Sequence, residues 1–183
     1  MIVFYEARMT FIEILPICFF ILAGLYKSPK TSIIFYTLSS VVFLYIYVDL
    51  GLFMAAISIG LSIVRGIGCI TLNHKYNNAL TFITTALIIL LIAVEISHMA
   101  DTLIIIAAVF IGTACYYRDC VILFRATTAL SQILWIIHSV IFDVPSMLIC
   151  SCIVLSTCIW ALIKHTDQSD IEDALSRLTF KKA

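Results

Sequence analysis

Seven apolar runs follow one another with only a few residues between them, and that succession limits the architectures open to this chain. They lie at 9–25, 32–50, 52–72, 79–98, 101–117, 121–142 and 145–164. A helix rises 1.5 Å per residue, so about 20 apolar residues cover the hydrocarbon core of a bilayer. Each run meets that length or nearly does. The connections at 26–30, 51, 73–78, 118–120 and 143–145 cannot hold a domain. Hydrophobic residues make up 63% of the chain and charged residues only 12%, where a soluble domain carries about 25% charged. The chain therefore reads as an integral membrane protein whose first partner is the lipid bilayer. Net charge is zero, so there is no basic face for nucleic acid.

The run at 121–142 carries the strongest internal signal. Wound at 100° per residue, Arg125, Thr128, Ser131, Gln132, Trp135, His138 and Ser139 fall within roughly 140° of one another. Ala126, Leu130, Ile133, Leu134, Ile136, Ile137, Val140 and Ile141 take the other side. Lipid cannot satisfy a polar half, so that half turns toward other helices or water. The expected architecture is an all-α membrane protein, a bundle of seven transmembrane helices around a polar interior.

Charge placement sets the orientation. Odd-numbered helices all end on one side, and ten of the eleven Lys and Arg residues lie on that side or in the adjoining half of the membrane; Arg8 alone lies opposite. Glu13, Asp49, Glu95, Asp101 and Asp143 gather at the other side. The positive-inside rule then predicts an external N-terminus and a cytoplasmic C-terminus in a bacterial inner membrane. The first run is preceded by both Glu6 and Arg8, with no basic n-region and no small-residue cleavage site, so it reads as a retained helix. Five of the seven cysteines lie inside apolar runs, where Cys behaves as a small hydrophobe, so neither a disulfide framework nor a metal site is expected. The tail at 166–183 has Ser169 followed by Glu172 as a capping box and apolar residues at helical spacing, which predicts a short helix on the inner membrane face.

Shifting the sequence by 91 residues sets Tyr26-Lys27 against Tyr117-Arg118, Thr37 against Thr128 and Tyr47 against His138. Three runs, one linker run and three runs give two units of the same orientation, a parallel repeat of the kind found in small transporters. The units divide as 1–78, a linker helix at 79–98, 99–165, and the cytoplasmic amphipathic tail at 166–183.

Ser62-Ile63-Val64-Arg65 in the third run, and an Arg near the start of the sixth leading to Trp135-Ile136-Ile137-His138-Ser139, resemble the YgjV-like family of small bacterial inner-membrane proteins over essentially the full length. That family is distantly similar to the SWEET and PQ-loop transporters and to three-plus-one-plus-three vitamin-precursor carriers. The resemblance implies a 3+1+3 fold and no settled substrate. The family's third helix has Asn where this chain has Ser62, and its seventh has Asn residues where this chain reads Leu155-Ser156-Thr157-Cys158.

Several side chains are candidates for chemistry, each beside a structural alternative. His138 titrates near neutrality and falls in the outer half, where it is either a proton or solute contact near Glu13, Glu95 or His98, or a packing histidine. Arg65 lies two turns before its helix ends and suits an anionic solute group or a buried partner; Arg125, a turn into its helix, is expected to snorkel. Gln132, with Thr128 and Ser131, either binds a neutral polar ligand at the midplane or serves as interhelical glue. No phosphate loop, HExxH or nucleophile elbow occurs, so no enzyme and no cofactor is expected. The leading expectation is a transporter of a small polar solute by alternating access, lined by Ser62, Arg65, Thr128, Gln132, His138, Ser156 and Thr157. The alternative is a non-transporting structural or partner subunit, for which an outward small-residue stripe at Ala55, Ala56, Ser58 and Gly60 would speak. Homo-oligomerisation stays open.

Overall fold

The computed structural model describes residues 11–95 and 101–179. Every apolar run is realised as a helix: α1 (Phe11–Leu25), α2 (Pro29–Asp49), α3 (Phe53–Thr71), α4 (His74–Glu95), α5 (Asp101–Tyr116), α6 (Val121–Ile141) and α7 (Pro145–His165), followed by α8 (Gln168–Leu178). There is no strand among the described residues. Three helices are long and apolar enough to cross a membrane by themselves, at Pro29–Asp49, Val121–Ile141 and Met147–Lys164. The apolar stretches Ile14–Leu25, Ala55–Thr71 and Thr102–Tyr116 are shorter. Arg8 and His98 lie outside the described residues, and of Glu13, Glu95 and Asp101 the structure describes the backbone alone.

Local chemistry sets the starts. Ser28 caps α2 and accepts from the Thr31 backbone N–H, and Pro29 follows where no N–H partner is needed. The polar stretch 73–78, expected as a connection, is mostly helix. Asn73 Oδ1 accepts from the Tyr76 N–H at 3.3 Å, an N-cap interaction that lets α4 begin at His74. The tail also differs from expectation. Its capping box is Asp167 with Asp170, because the Asp167 carboxylate takes the Asp170 N–H at 3.0 Å while Asp170 accepts from the Asp167 N–H. The Ser169 hydroxyl and the Asp170 backbone N–H, with Lys27 beside them, hold the exposed Asp167 carboxyl down at about 2. Lys27 reaches both Asp167 and Asp170, at 3.5 and 3.6 Å, and so ties α8 to the α1–α2 turn.

The helices pack as a closed circuit. α2 lies between α1 and α3, α6 lies between α5 and α7, and α1 meets α7. The other seam is a light contact of α3 with α5, over which α4 packs on both. Its outer face shows Phe82, Ile83 and Leu90, as a lipid-facing helix should. At the α1–α7 contact, Gly24 leaves room for Thr157, whose Cβ a methyl at that position would strike. Apolar packing of Phe20, Phe43, Ile46, Ile59, Met147 and Val154 fills one half of the interior. Ile33, Cys69, Ala114, Cys115 and Phe124 fill the other.

Two turns share three corresponding backbone bonds. After α2, Leu50 N–H donates to Ile46 O, Leu52 N–H to Tyr47 O, and Ala56 N–H to Leu52 O. After α6, Phe142 N–H donates to His138 O, Val144 N–H to Ser139 O, and Leu148 N–H to Val144 O. The middle residue is left-handed in both, Gly51 at φ +71° and Asp143 at φ +53°. This is the αL helix ending with its long return bond. The matching residues lie 92 positions apart, where the sequence comparison suggested 91.

The end where odd-numbered helices finish is closed by side chains from elsewhere in the chain. The Arg118 guanidinium donates to Cys69 O and Leu72 O at the end of α3. Arg125 donates to Ala23 O at 3.2 Å and Tyr26 O at 2.7 Å at the end of α1. Asn77, fully buried, donates to Cys115 O at the end of α5. A helix end has carbonyls without intrahelical partners, and cations suit its partial negative charge.

Candidate functional site

A cavity of about 120 Å³ lies at the centre of the circuit. α1, α2, α3, α5, α6 and α7 all contribute to its wall, while α4 and α8 do not. Its polar lining is Tyr36, Thr37 and Ser40 from α2, Ser62 and Arg65 from α3, and Thr128, Gln132 and Trp135 from α6. The rest is apolar, and among the described residues no carboxylate belongs to it. Gly66 stands between α2 and α3, where a methyl would collide with Thr37 Oγ1. Its missing side chain lets the two helices bring Thr37 and Arg65 to one chamber.

Arg65 is the chamber's single charge among the described residues and is 1% exposed. Its Nη1 donates to Thr85 Oγ1 at 3.1 Å and Ala108 O at 3.4 Å, and its Nη2 donates to Ser62 Oγ at 3.1 Å. Its Nε has no partner. No ion pair reaches it among the described residues. Gly112 leaves space for this arrangement, since a methyl there would press on Thr85 Oγ1 and approach Arg65 Nη1.

The hydroxyls of the wall are all turned inward on their own helices. Thr37 donates to Ile33 O, Ser40 to Tyr36 O, Ser62 to Ser58 O and Thr128 to Phe124 O, at 2.7–2.9 Å. Each hydroxyl has one hydrogen, so each offers the chamber lone pairs only. Tyr36 accepts from Arg125 Nη1 at 3.2 Å and lies 3.7 Å from Cys158 Sγ. It forms the chamber's boundary with the basic end, stacked on Phe124. Gln132 makes no side-chain hydrogen bond to protein among the described residues.

Four of the seven expected lining residues thus meet at one chamber: Ser62, Arg65, Thr128 and Gln132. Three do not. His138 is buried beyond the chamber, between the rings of Trp135 and Phe142. Ser156 is exposed and donates back to Cys152 O at 2.8 Å, which satisfies its hydroxyl without a neighbour. Thr157 donates to Val154 O and fills the α1–α7 contact at Gly24. Arg125 does not snorkel. It is fully buried, because α1 ends beside it and leaves carbonyls that a guanidinium can satisfy.

A model of the bacterial inner membrane protein family Imp-YgjV matches residues 9–169. The chain belongs to that family. No curated protein and no solved structure matches it. The Imp-YgjV match spans α1 through α7, so every wall of the chamber falls within it. Tyr36, Thr37 and Ser40 were missed as lining residues of this Imp-YgjV chain. The signal for one of them was present: the 91-residue shift paired Thr37 with Thr128, and both line the chamber.

Proposed function

We propose that this protein spans the membrane seven times, as two three-helix units related by a parallel repeat, and carries a small polar solute by alternating access. The units are 1–78 and 99–165, α4 is the linker within 79–98, and 166–183 is a cytoplasmic tail. The N-terminus lies outside. One observation carries this reading: a chamber lined jointly by α1–α3 and α5–α7 and supplied with a buried guanidinium. Repeat transporters set their solute sites at the midplane, at the interface of the repeats. The matching turns after α2 and α6 support the repeat. So do Ser39, which donates to Pro16 O in the first unit, and Ser131, which donates to Ala107 O in the second. Nothing in this reading requires catalysis.

The partner-subunit alternative would be favoured by an outward stripe of small residues. Ala55, Ala56 and Ser58 are buried inside the bundle, so that stripe does not face outward.

The full-length protein in proteoliposomes, assayed by counterflow against a panel of small polar metabolites, tests the carrier reading. Saturable exchange of at least one solute is expected, abolished by Thr128→Phe, which fills the chamber. Absence of exchange across the panel by folded protein would remove the reading. Reporter fusions at each terminus test the orientation.

A further inference from the structure

We propose that the solute is a small monocarboxylate, held with its carboxylate on the Nε–Nη2 edge of Arg65. This rests on the carrier reading above and names its substrate class.

A guanidinium has five N–H donors. At Arg65, both hydrogens of Nη1 have acceptors in Thr85 Oγ1 and Ala108 O, and one of Nη2 has Ser62 Oγ. These bonds leave two hydrogens, one on Nε and one on Nη2, and the Cys115 thiol also lies against the guanidinium. These neighbouring nitrogens form the side edge of the group, the edge that grips a carboxylate through two parallel bonds. The acceptors already present are two hydroxyls and one carbonyl, all neutral. They solvate the cation without cancelling its charge. A buried unpaired charge is costly, and an anion in the chamber removes that cost.

Size and charge narrow the class. An apolar cavity of about 150 Å³ takes benzene, with six non-hydrogen atoms. A chamber of about 120 Å³ suits a solute on the order of five. Among the described residues only one cation lines it, so it matches a single negative charge. Beyond Arg65, the hydroxyls of Thr37, Ser40, Ser62 and Thr128 present lone pairs. They favour a solute whose far end donates, such as a hydroxyl group. Glycolate has these properties. Acetate lacks the hydroxyl, and glycolamide lacks the charge.

The test uses purified full-length protein, with thermal unfolding followed in sodium glycolate, sodium acetate, sodium chloride of equal ionic strength, and glycolamide. Expected is a dose-dependent rise in Tm with glycolate, a smaller one with acetate, and none with glycolamide or beyond the chloride control. Arg65→Lys keeps a cation without the two-pronged edge and should weaken the apparent glycolate affinity about tenfold. Ser156→Ala, at an exposed hydroxyl that bonds its own helix away from the chamber, serves as the folded comparison if Arg65→Lys is poorly folded, and should retain the preference for glycolate over glycolamide. An equal response to glycolamide, or a chloride effect as large as that of glycolate, would overturn the proposal. So would an unchanged glycolate affinity in Arg65→Lys. Counterflow in proteoliposomes separates the two levels. Exchange of neutral solutes with no response to carboxylates defeats the monocarboxylate and leaves the carrier. Glycolate binding without exchange supports the site and defeats the carrier.

Discussion

The two three-helix halves share a frame and differ in where they keep their buried charge. Their second and third helices are joined by the same three-residue turn, with the same return bonds and a left-handed middle residue. Their second helices each send a serine to a first-helix carbonyl. The arginines break the likeness. The first half holds Arg65 on its third helix, where the second half has Ser156 and Thr157. The second half holds Arg125 on its middle helix, where the first has Ile33 and Ile34. Arg125 faces a helix end: Ala23 O, Tyr26 O, Ser32 Oγ and Tyr36 Oη all accept from it. The partial negative charge of α1's C-terminus lies against it. Arg65 meets the Thr85 and Ser62 hydroxyls, the Ala108 carbonyl and the Cys115 thiol, takes no helix-end carbonyl, and lines a chamber. On the proposed repeat, one scaffold carries one structural arginine and one left available, and the difference lies in what each meets across the bundle.

The largest expected effect breaks this contrast directly. Arg125→Met strips the end of α1 of its donor inside the protein and should cost about 3 kcal/mol of stability, read by reversible unfolding in mixed micelles. Arg65→Met removes a charge that no helix end compensates, so its stability loss should be clearly smaller. Equal losses would erase the distinction between the two arginines. The turns sharpen the comparison with smaller changes. Gly51→Ala has open space around it but a left-handed backbone, and should cost about 1 kcal/mol. Asp143→Gly, at the matching position, should gain about 0.5 kcal/mol in the same assay. The smallest effect concerns the strap that joins the tail to the first half. Asp167 has a folded value near 2, below that of a free carboxyl, so its contribution is complete above about pH 4. It is lost as pH falls toward 2. A fluorophore on α8 should report undocking over that interval, and Asp167→Asn should remove the transition.

The sequence made the polar half of α6 legible because its apolar and polar residues separate cleanly at 100° per residue. That half does turn inward, with Arg125, Thr128, Ser131, Gln132 and His138 all buried. The polar residues of α2 were illegible by the same test. Ser32, Tyr36, Ser39, Ser40 and Tyr47 are spread among apolar neighbours, and only packing against α3 and α6 selects Tyr36, Thr37 and Ser40 for the chamber. Ser156 misled for a different reason. A serine that bonds its own preceding turn can face outward, and sequence does not reveal which serines do so. The stretch 73–78 looked like a loop because it is polar, yet Asn73 starts a helix and Asn77 closes another. Whose side chain meets a given carbonyl is a tertiary fact, so the closing of helix ends by Arg118, Arg125 and Asn77 had no local pattern to betray it.

Arg118 and Arg125 both belong to the second half of the chain, and the helix ends they hold belong to the first. They act as two clasps across the same mouth. Among the described residues no charged side chain clasps a helix end at the opposite mouth. On the carrier reading proposed above, rocking the halves apart at the clasped mouth means pulling two guanidinium groups off backbone carbonyls, so that door should be the slower of the two to swing.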